Sequence, residues 1–273
     1  MHTNRIDRNF ELDPRNRDFG WQTCDGPYRR LSAAQARQYD EEGFVLVENA
    51  FTPEEMEAVI HAIDPIEAEY TQMLRDRFGG KLYIARADAI TFTIHLVLRS
   101  AVLKAFSRHP VFQELCHDTM GTPCRLYWDQ AVYKKPGNPD EFPWHQDNGY
   151  TFTRPQQYLT CWVALTDATL DNGCPWVVPG LHRYGTLLHR NAPLGRECLT
   201  SPQSAVAVPA RAGDVVVFSS LTPHRTGPNL TDAVRKSYIL QYALDGAMTL
   251  QGDGDSPAPQ NDPDRQYLIH EHP

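Results

Sequence analysis

The sequence predicts a mainly β protein, an antiparallel sandwich or jelly roll with helices packed on one side. Two observations support this fold class. Residues 31–120 contain helical patterns, whereas from Cys124 onward the chain consists of short apolar or alternating runs. Clusters rich in Pro, Gly, Asn and Asp, such as KPGNPDEFP, DNG and GPNLTD, separate those runs. Several turn-separated strands after a helical start are typical of this architecture.

The length of 273 residues suits one sizeable domain, and no convincing linker divides the chain. We therefore expect a single domain over residues 1–273. Its parts are a polar N-terminal arm at 1–30, a mainly helical segment at 31–120, a jelly-roll core at 121–245 and a C-terminal tail at 246–273.

The helical segment starts with LSAAQARQYDEEG, in which Ser32 is an N-cap candidate and Gly43 ends the helix. The β-branched run FVLVENA then predicts a short strand. TPEEMEAVI predicts a second helix, with Thr52 as its cap, that runs to about Arg77. A further helical stretch is predicted over residues 99–119.

Composition excludes some classes of partner. The 26 basic and 34 acidic residues give a net charge of −8, so no basic stripe for nucleic acid is indicated. No apolar run approaches the roughly 18 residues that span a bilayer. The six cysteines lack zinc-finger or CxxC spacing, and no signal peptide is visible. We expect a cytoplasmic monomer or homodimer that binds a small molecule, without a nucleic-acid or membrane partner.

The stretch FPWHQDNGY holds a candidate metal-binding pair. His145 and Asp147 are two residues apart, so on an extended strand both side chains point to the same face. An imidazole and a carboxylate placed in this way can bind one cation, although the same spacing also occurs by chance. Gln146, between them, is expected to point away from the metal.

A third ligand must come from elsewhere in the chain. His224 is the best placed, because it follows the strand GDVVVFSS within the turn LTPHRTGPN. His182 and His189, in a loop after VVPG, remain alternatives. Two histidines and one carboxylate form the facial triad that leaves positions open on non-haem Fe(II). Arg235 starts the next strand and can hold a carboxylate in two hydrogen bonds, unless it is simply a surface arginine.

The motifs WHQD, WVALTDATLDNGCPWVVPGLHRYG and HRTGPNLTDAVR, in this order, resemble the phytanoyl-CoA dioxygenase family of Fe(II)- and 2-oxoglutarate-dependent oxygenases. LSAAQARQYDEEGFVLVENAFTPEE also resembles the opening of that family, so the resemblance covers roughly residues 31–245. It implies a double-stranded β-helix, a cupin-like jelly roll, with Fe(II) held by His145, Asp147 and His224. It also implies that Arg235 binds the far carboxylate of 2-oxoglutarate.

The resemblance implies roles for neighbouring residues as well. Thr226 replaces the usual serine of the family and keeps the hydroxyl that assists the arginine. Trp162 matches a tryptophan that lines the cosubstrate site, and Thr160 shares its strand face. Leu181 stands where serine is common in the PGSH turn of the family. Because that turn is a structural marker of the family, we expect His182 to be structural rather than a ligand.

Six further positions are candidate contacts with cosubstrate or substrate. They are Gln130 and Tyr133 in LYWDQAVYKK, Asn148 and Tyr150 after the metal-binding pair, and Arg86 and His95 in YIARADAITFTIH. The first two are expected either to touch 2-oxoglutarate or substrate or to pack within the sheet. The second two are expected to form the mouth of the site, and the last two to belong to a lid across it.

The implied reaction is oxidation, most simply hydroxylation, of an unactivated C–H bond of a small molecule. O2 is consumed, and 2-oxoglutarate is decarboxylated to succinate and CO2. A secondary metabolite, an amino-acid derivative or a lipid-like acid would suit as substrate. The alternatives are a non-catalytic jelly-roll binding protein and a zinc-dependent cupin-like enzyme. The complete triad together with Arg235 favours the iron oxygenase, and the retained Asp147 disfavours halogenation.

Overall fold

The structure is a computed structural model that describes residues 10–251 and 256–270. Parts of the predicted arm and tail (1–9, 252–255 and 271–273) lie outside the described residues. The helices are α1 (Ala33–Glu42), α2 (Pro53–Phe78), α3 (Ala101–Phe106) and α4 (Pro110–Thr119). Short 3-10 turns cover Leu96–Leu98, Asp147–Gly149 and Leu181–Tyr184. None of the described helices has the length and apolar character that a membrane crossing requires.

The strands make up most of the remaining regular structure. They are β1 (Phe44–Val47), β2 (Lys81–Leu82), β3 (Ala85–Arg86), β4 (Ile90–Ile94), β5 (Cys124–Lys134), β6 (Phe142–His145), β7 (Thr153–Arg154), β8 (Leu159–Ala164), β9 (Pro175–Val177), β10 (Arg190–Ala192), β11 (Gly195–Glu197), β12 (Val206–Ala207), β13 (Val215–Ser219), β14 (His224–Thr226), β15 (Arg235–Leu244), β16 (Met248–Gln251) and β17 (Ser256–Pro259).

The first two helices form where capping residues predict them. Ser32 and Gln35 make a capping box at the start of α1, and Gly43 ends that helix in the left-handed region with φ of 84°. A Cβ at Gly43 would lie 2.4 Å from His182 Nδ1, so this turn also needs glycine for close approach. Thr52 caps α2 in the same way as Ser32 caps α1.

The third helical prediction, over residues 99–119, is wrong in its continuity. The chain forms two helices, α3 and α4, and Pro110 occupies the first position of α4. A proline has no N–H to donate within a helix, so it favours a new helix start over continuation. The His109 side chain accepts a hydrogen bond from the N–H of Val111 at that start.

Two antiparallel sheets form the jelly roll. The larger has the order β1-β13-β8-β15-β5-β4-β3-β2, and the smaller has the order β12-β9-β14-β6. A third, three-stranded sheet joins β17, β16 and β7, so the tail partly continues the strand structure. The predicted mainly β fold with a jelly-roll core is confirmed.

The larger sheet separates two hydrophobic clusters. Its outer face packs against α2, α3 and α4, with Ile63, Leu103 and Phe112 buried against Val217 and Leu240. Its inner face contributes to a second cluster that also includes residues of the smaller sheet, such as Phe142 and Val177. Alternation along each strand therefore decides whether a side chain meets the helices or the interior between the sheets.

Candidate active site

Three potential metal ligands meet between the two sheets. His145 ends β6 and lies opposite His224, the first residue of β14, in the antiparallel register. Asp147 follows in the 3-10 turn after β6. Asp147 Oδ1 is 3.9 Å from His145 Nε2 and 3.7 Å from His224 Nε2. The ligand atoms of all three residues lie within 4.8 Å of one another, close enough to share one ion.

Backbone carbonyls orient both imidazole rings. His145 Nδ1 donates to the carbonyl of Pro143 at 2.8 Å, and His224 Nδ1 donates to that of Thr222 at 3.0 Å. A neutral ring with its proton on Nδ1 keeps the lone pair on Nε2, which here faces Asp147. Burial, together with the neighbouring His224, lowers the pKa of His145 to about 3, and burial lowers the pKa of His224 to about 4. Both rings are therefore neutral at pH 7, as metal binding requires.

The carboxylate of Asp147 is held from its other oxygen. Thr160 Oγ1 donates to Asp147 Oδ2 at 2.6 Å, and Gln241 Nε2 lies 3.4 Å from the same hydroxyl. Burial raises the pKa of Asp147 above its usual range. Two neutral imidazole nitrogens and one carboxylate oxygen make the donor set that suits non-haem Fe(II).

The residues around the triad have structural partners. Gln146 points away from the triad, as expected: its side-chain amide donates to the Gly185 carbonyl and accepts from the Leu187 N–H. Both alternative ligands are held elsewhere. His189 Nε2 accepts from the backbone N–H of Gln146 at 2.9 Å, and His182 Nε2 lies 3.1 Å from the Asp40 carbonyl.

Arg235 carries unpaired donors in the interior. Its side chain is 1% exposed, and Nη1 donates to Ser237 Oγ at 2.7 Å. Within the described part of the chain, Nε and Nη2 have no hydrogen-bond partner. Burial lowers its pKa to about 10, so the group stays charged at neutral pH. A charged fork with two free donors fits a ligand carboxylate, which would offset the cost of leaving those donors unpaired.

Lys134 is a second buried basic side chain, and sequence reasoning did not identify it. The side chain is fully buried, and Nζ donates to the backbone carbonyls of Asp140, Thr226 and Gly227. Burial and the nearby Arg235 lower its pKa to about 6. Unlike Arg235, Lys134 donates only to backbone carbonyls, two of which follow His224 in the chain.

A cavity of about 600 Å³ opens onto the triad. Its lining is mainly aromatic and aliphatic, with a few polar side chains near the triad. It consists of Tyr70, Leu82, Tyr83, Ile84, Ala85, Ile90, Phe92, Ile94, Tyr127, Trp128, Gln130, Val132, Phe142, His145, Asp147, Tyr150, Thr151, Tyr158, Thr160, Trp162, Arg196, Phe218, His224, Thr226, Ile239 and Gln241. Arg235 lies behind two of these residues, 5.2 Å from the Trp162 ring and 3.4 Å from the Val132 carbonyl.

Five of the residues singled out for cosubstrate or substrate line this cavity: Gln130, Tyr150, Thr160, Trp162 and Thr226. Two others do not. Tyr133 is on the opposite face of β5 from Gln130, and its hydroxyl donates to Asp64 Oδ1 at 2.7 Å. Asn148 is fully buried and bonds to Thr186 Oγ1 and the Thr153 N–H, so it supports the turn instead of forming the mouth.

The segment expected to form a lid is instead part of the larger sheet. Strand β4 pairs with β5 along its whole length, from Ile90 opposite Lys134 to Ile94 opposite Gln130. The β-branched run ITFTI favours this strand. Arg86 Nη1 donates to the Tyr83 carbonyl at 2.6 Å, and the His95 ring packs against Trp128 at 4.3 Å. Neither side chain lines the cavity.

Comparisons with known proteins identify one family of enzymes. The family model described as "Phytanoyl-CoA dioxygenase (PhyH)" matches residues 39–237. Methylphosphonate hydroxylase of Gimesia maris is 38% identical over 125 residues, which is 45% of this chain and 46% of that protein. Phytanoyl-CoA dioxygenase domain-containing protein 1 of Rattus norvegicus is 24% identical over 82% of this chain and 94% of its own length.

Solved structures agree with the fold. The non-heme alpha-ketoglutarate-dependent carbocyclase SnoK from nogalamycin biosynthesis superposes with a TM-score of 0.66 at 25% identity. The match covers 86% of this chain and 95% of that one.

Proposed function

Because the chain belongs to the phytanoyl-CoA dioxygenase family and is a 2-oxoglutarate-dependent non-haem iron oxygenase acting on small molecules, we propose that it hydroxylates an unactivated C–H bond. The observation that carries this proposal is the convergence of His145 Nε2, His224 Nε2 and Asp147 Oδ1 on one point. The name of the Gimesia maris relative, a hydroxylase, supports hydroxylation over the other oxidations of this iron chemistry.

We assign iron binding to His145, Asp147 and His224. The iron site, with 2-oxoglutarate and O2, supplies the oxidation and releases succinate and CO2. Arg235 binds the far carboxylate of 2-oxoglutarate with its unpaired Nε and Nη2. Trp162, whose ring contacts the guanidinium, forms the wall against which the cosubstrate lies.

Other side chains hold the site in shape. Thr160 fixes the carboxylate of Asp147 through one oxygen and leaves the other for the metal. Lys134 ties down the backbone of Thr226 and Gly227, next to His224. The aromatic lining, which includes Phe142 and Phe218 against the two imidazoles, keeps water away from the reacting atoms.

The finer organisation is also part of this proposal. We infer a single oxygenase domain over the whole chain, which acts in the cytoplasm as a monomer or homodimer. Six unpaired cysteines support a reducing compartment.

The test is anaerobic titration of the metal-free protein with Fe(II) and then 2-oxoglutarate. We expect a visible charge-transfer band from the bound 2-oxo acid in the wild type and no band in His224→Ala, because that variant loses one of three ligands. His61→Ala is the matched control, since His61 is exposed on α2. After O2 is admitted, the wild type should form succinate. A wild type that shows no band and purifies with zinc would contradict the proposal in favour of a zinc cupin-like enzyme. A band without succinate would favour a binding protein.

A further inference from the structure

One charged side chain of the cavity has no place in the function proposed above. Among the described residues that line the cavity, His145, Asp147 and His224 form the metal site, and Arg196 is the one cation. Arg196 lies on β11, in the hairpin of β10 and β11. The 2-oxoglutarate carboxylate site assigned above uses Arg235, so Arg196 is left without a role there.

The hairpin holds Arg196 against the turn that carries the metal ligands. Arg196 Nη1 donates to the Gly149 carbonyl at 3.0 Å, and its backbone N–H donates to the Tyr150 hydroxyl at 3.1 Å. The Tyr150 ring in turn meets the His145 ring edge to face, with centroids 5.4 Å apart. The guanidinium is therefore held near the metal site, because it bonds to Gly149 and the next residue, Tyr150, contacts the ligand His145.

Close approach of the hairpin depends on Gly195. This glycine has φ of 104°, and a Cβ there would lie 2.4 Å from the Tyr150 hydroxyl and 3.2 Å from Ile84 Cγ2. No other side chain fits between these groups. The neighbouring Arg196 is thus set at the junction of two segments that flank the mouth, the β10–β11 hairpin and the β2–β3 turn.

Most donors of Arg196 are free for a ligand. A guanidinium has five N–H donors, and one carbonyl occupies only part of this fork. Among the described residues, Arg196 takes part in no ion pair, whereas the arginines nearby in sequence do: Arg190 pairs with Glu11 and Arg183 with Asp40. Asp147 is the one carboxylate in the cavity lining, and it faces the histidines.

Electrostatic balance also favours an anion at this point. With neutral histidines, the charges of Fe(II), Asp147, doubly negative 2-oxoglutarate and Arg235 cancel. Arg196 then leaves the loaded cavity with an excess of positive charge, in a protein whose net charge is −8. An anionic group on the substrate would neutralise it in a setting where partial burial strengthens the attraction.

The remainder of the mouth is apolar. Leu82, Tyr83 and Ile94 line the cavity and yet are 39%, 67% and 45% exposed. Exposed apolar side chains grouped at the opening of a cavity are typical of a ligand-binding surface. Together with Tyr70 and Trp128, they form a wall for an apolar body.

We propose that Arg196 binds an oxoanion of the substrate, so that the enzyme oxidises small amphipathic acids with an apolar or aromatic body. This substrate class rests on the proposed oxygenase function. The oxoanion is a carboxylate or a phosphonate, both of which match the planar donors of Arg196.

The test uses protein loaded with Mn(II) and saturating 2-oxoglutarate, which does not turn over, and isothermal titration calorimetry. The probes are octanoate and octylphosphonate, with octanamide as the neutral counterpart, and phenylacetate with phenylacetamide. In the wild type we expect each acid to bind at least ~10-fold more tightly than its amide. The tighter of octanoate and octylphosphonate identifies the oxoanion.

Arg196→Gln should bring acid and amide to within about twofold of each other, and Arg196→Lys should retain part of the preference. Arg190→Gln, on the same hairpin but outside the cavity lining, is the control and should keep the full preference. Equal binding of acid and amide by the wild type, or a preference that survives in Arg196→Gln, would overturn the proposal. A separate measurement distinguishes this proposal from the oxygenase assignment. The Fe(II)–2-oxoglutarate charge-transfer band should be unchanged in Arg196→Gln. If the wild type itself lacked the band, the oxygenase assignment would be wrong.

Discussion

The two faces of the larger sheet both bury charged side chains, but they satisfy them differently. On the outer face, Glu67 accepts hydrogen bonds from Thr71, Thr91 and Lys135 at 2.7–2.8 Å. On the inner face, Arg235 keeps Nε and Nη2 without a partner among the described residues. An unpaired buried charge destabilises a fold, so it persists where a ligand completes it.

The same contrast extends to the interior that the inner face shares with the smaller sheet, which carries His145 and His224 on β6 and β14. The Nε2 atoms of His145 and His224 both face Asp147 Oδ1, at 3.9 Å and 3.7 Å, which is too far for hydrogen bonds. On the outer face, Tyr238 donates a hydrogen bond of 3.0 Å to Asp129. The outer-face groups Glu67 and Tyr238 are paired within the protein, whereas Arg235 and the two histidines face atoms that the protein itself does not supply.

Of the substitutions that test this difference between the two faces, Arg235→Ala should have the largest effect. Arg235→Ala should weaken 2-oxoglutarate binding at least ~100-fold, because both charge-assisted bonds to the far carboxylate are lost. Iron uptake should stay nearly intact, and the free energy of unfolding should not fall, since an unpaired buried cation is removed. The charge-transfer band, titrated with 2-oxoglutarate, gives the affinity.

The control for Arg235 is the next residue. Lys236 faces outward and pairs with Asp64 at 2.7 Å, so Lys236→Ala should leave 2-oxoglutarate affinity unchanged. If Arg235→Ala lost iron and 2-oxoglutarate to the same degree, the carboxylate-binding role would be wrong.

A second, smaller effect is expected at Glu67, and it concerns stability alone. Burial raises the pKa of Glu67, but hydrogen bonds from Lys135, Thr91 and Thr71 outweigh it and hold the pKa below its usual value. A lowered folded-state pKa contributes stability above the unfolded pKa, and that contribution is lost as the pH falls through the folded pKa. Glu67→Gln should therefore cost about 2 kcal/mol at pH 7.

Urea unfolding of both proteins across the acid range tests this pH dependence. The stability gap between wild type and Glu67→Gln should narrow once the pH falls below the ordinary glutamate pKa of 4.5. The 2-oxoglutarate affinity at pH 7 should not change. If this difference in stability stayed constant with pH, the charge of Glu67 would make no contribution to the free energy of unfolding.

Local spacing explains which parts of the site could be predicted from the sequence. His145 ends β6 and Asp147 lies two residues further on, in the 3-10 turn, so this short spacing keeps the two side chains close without knowledge of the partner strands. The helix boundaries at Ser32 and Thr52 likewise depend on residues within one turn. The assignments of His224 and Arg235 needed the ordered motifs of the family as well.

The remainder depends on long-range packing. Both faces of β5 mix aromatic and polar residues, so alternation groups Gln130 apart from Tyr133 but does not show which of them faces the cavity. From the sequence, Lys134 is interpreted as part of a polar strand end. It is buried in the structure because the backbone of Gly227 folds over it. Arg196 has no local signal, since its place at the mouth arises from a hairpin that folds back onto Tyr150.

The smallest expected effects come from a matched pair of hydroxyl deletions, one on each face. Thr160→Val removes the 2.6 Å hydrogen bond to Asp147 and should lower Fe(II) affinity about 10-fold, because a freed carboxylate rotates away from the ligand position. Tyr133→Phe removes the 2.7 Å bond to Asp64 and should cost about 1 kcal/mol of stability with no change in Fe(II) affinity. Competition with a chromophoric chelator measures the first quantity and urea unfolding the second. If Tyr133→Phe also weakened metal or 2-oxoglutarate binding, the outer face would contribute to the site, and the division between the two faces of the sheet would not hold.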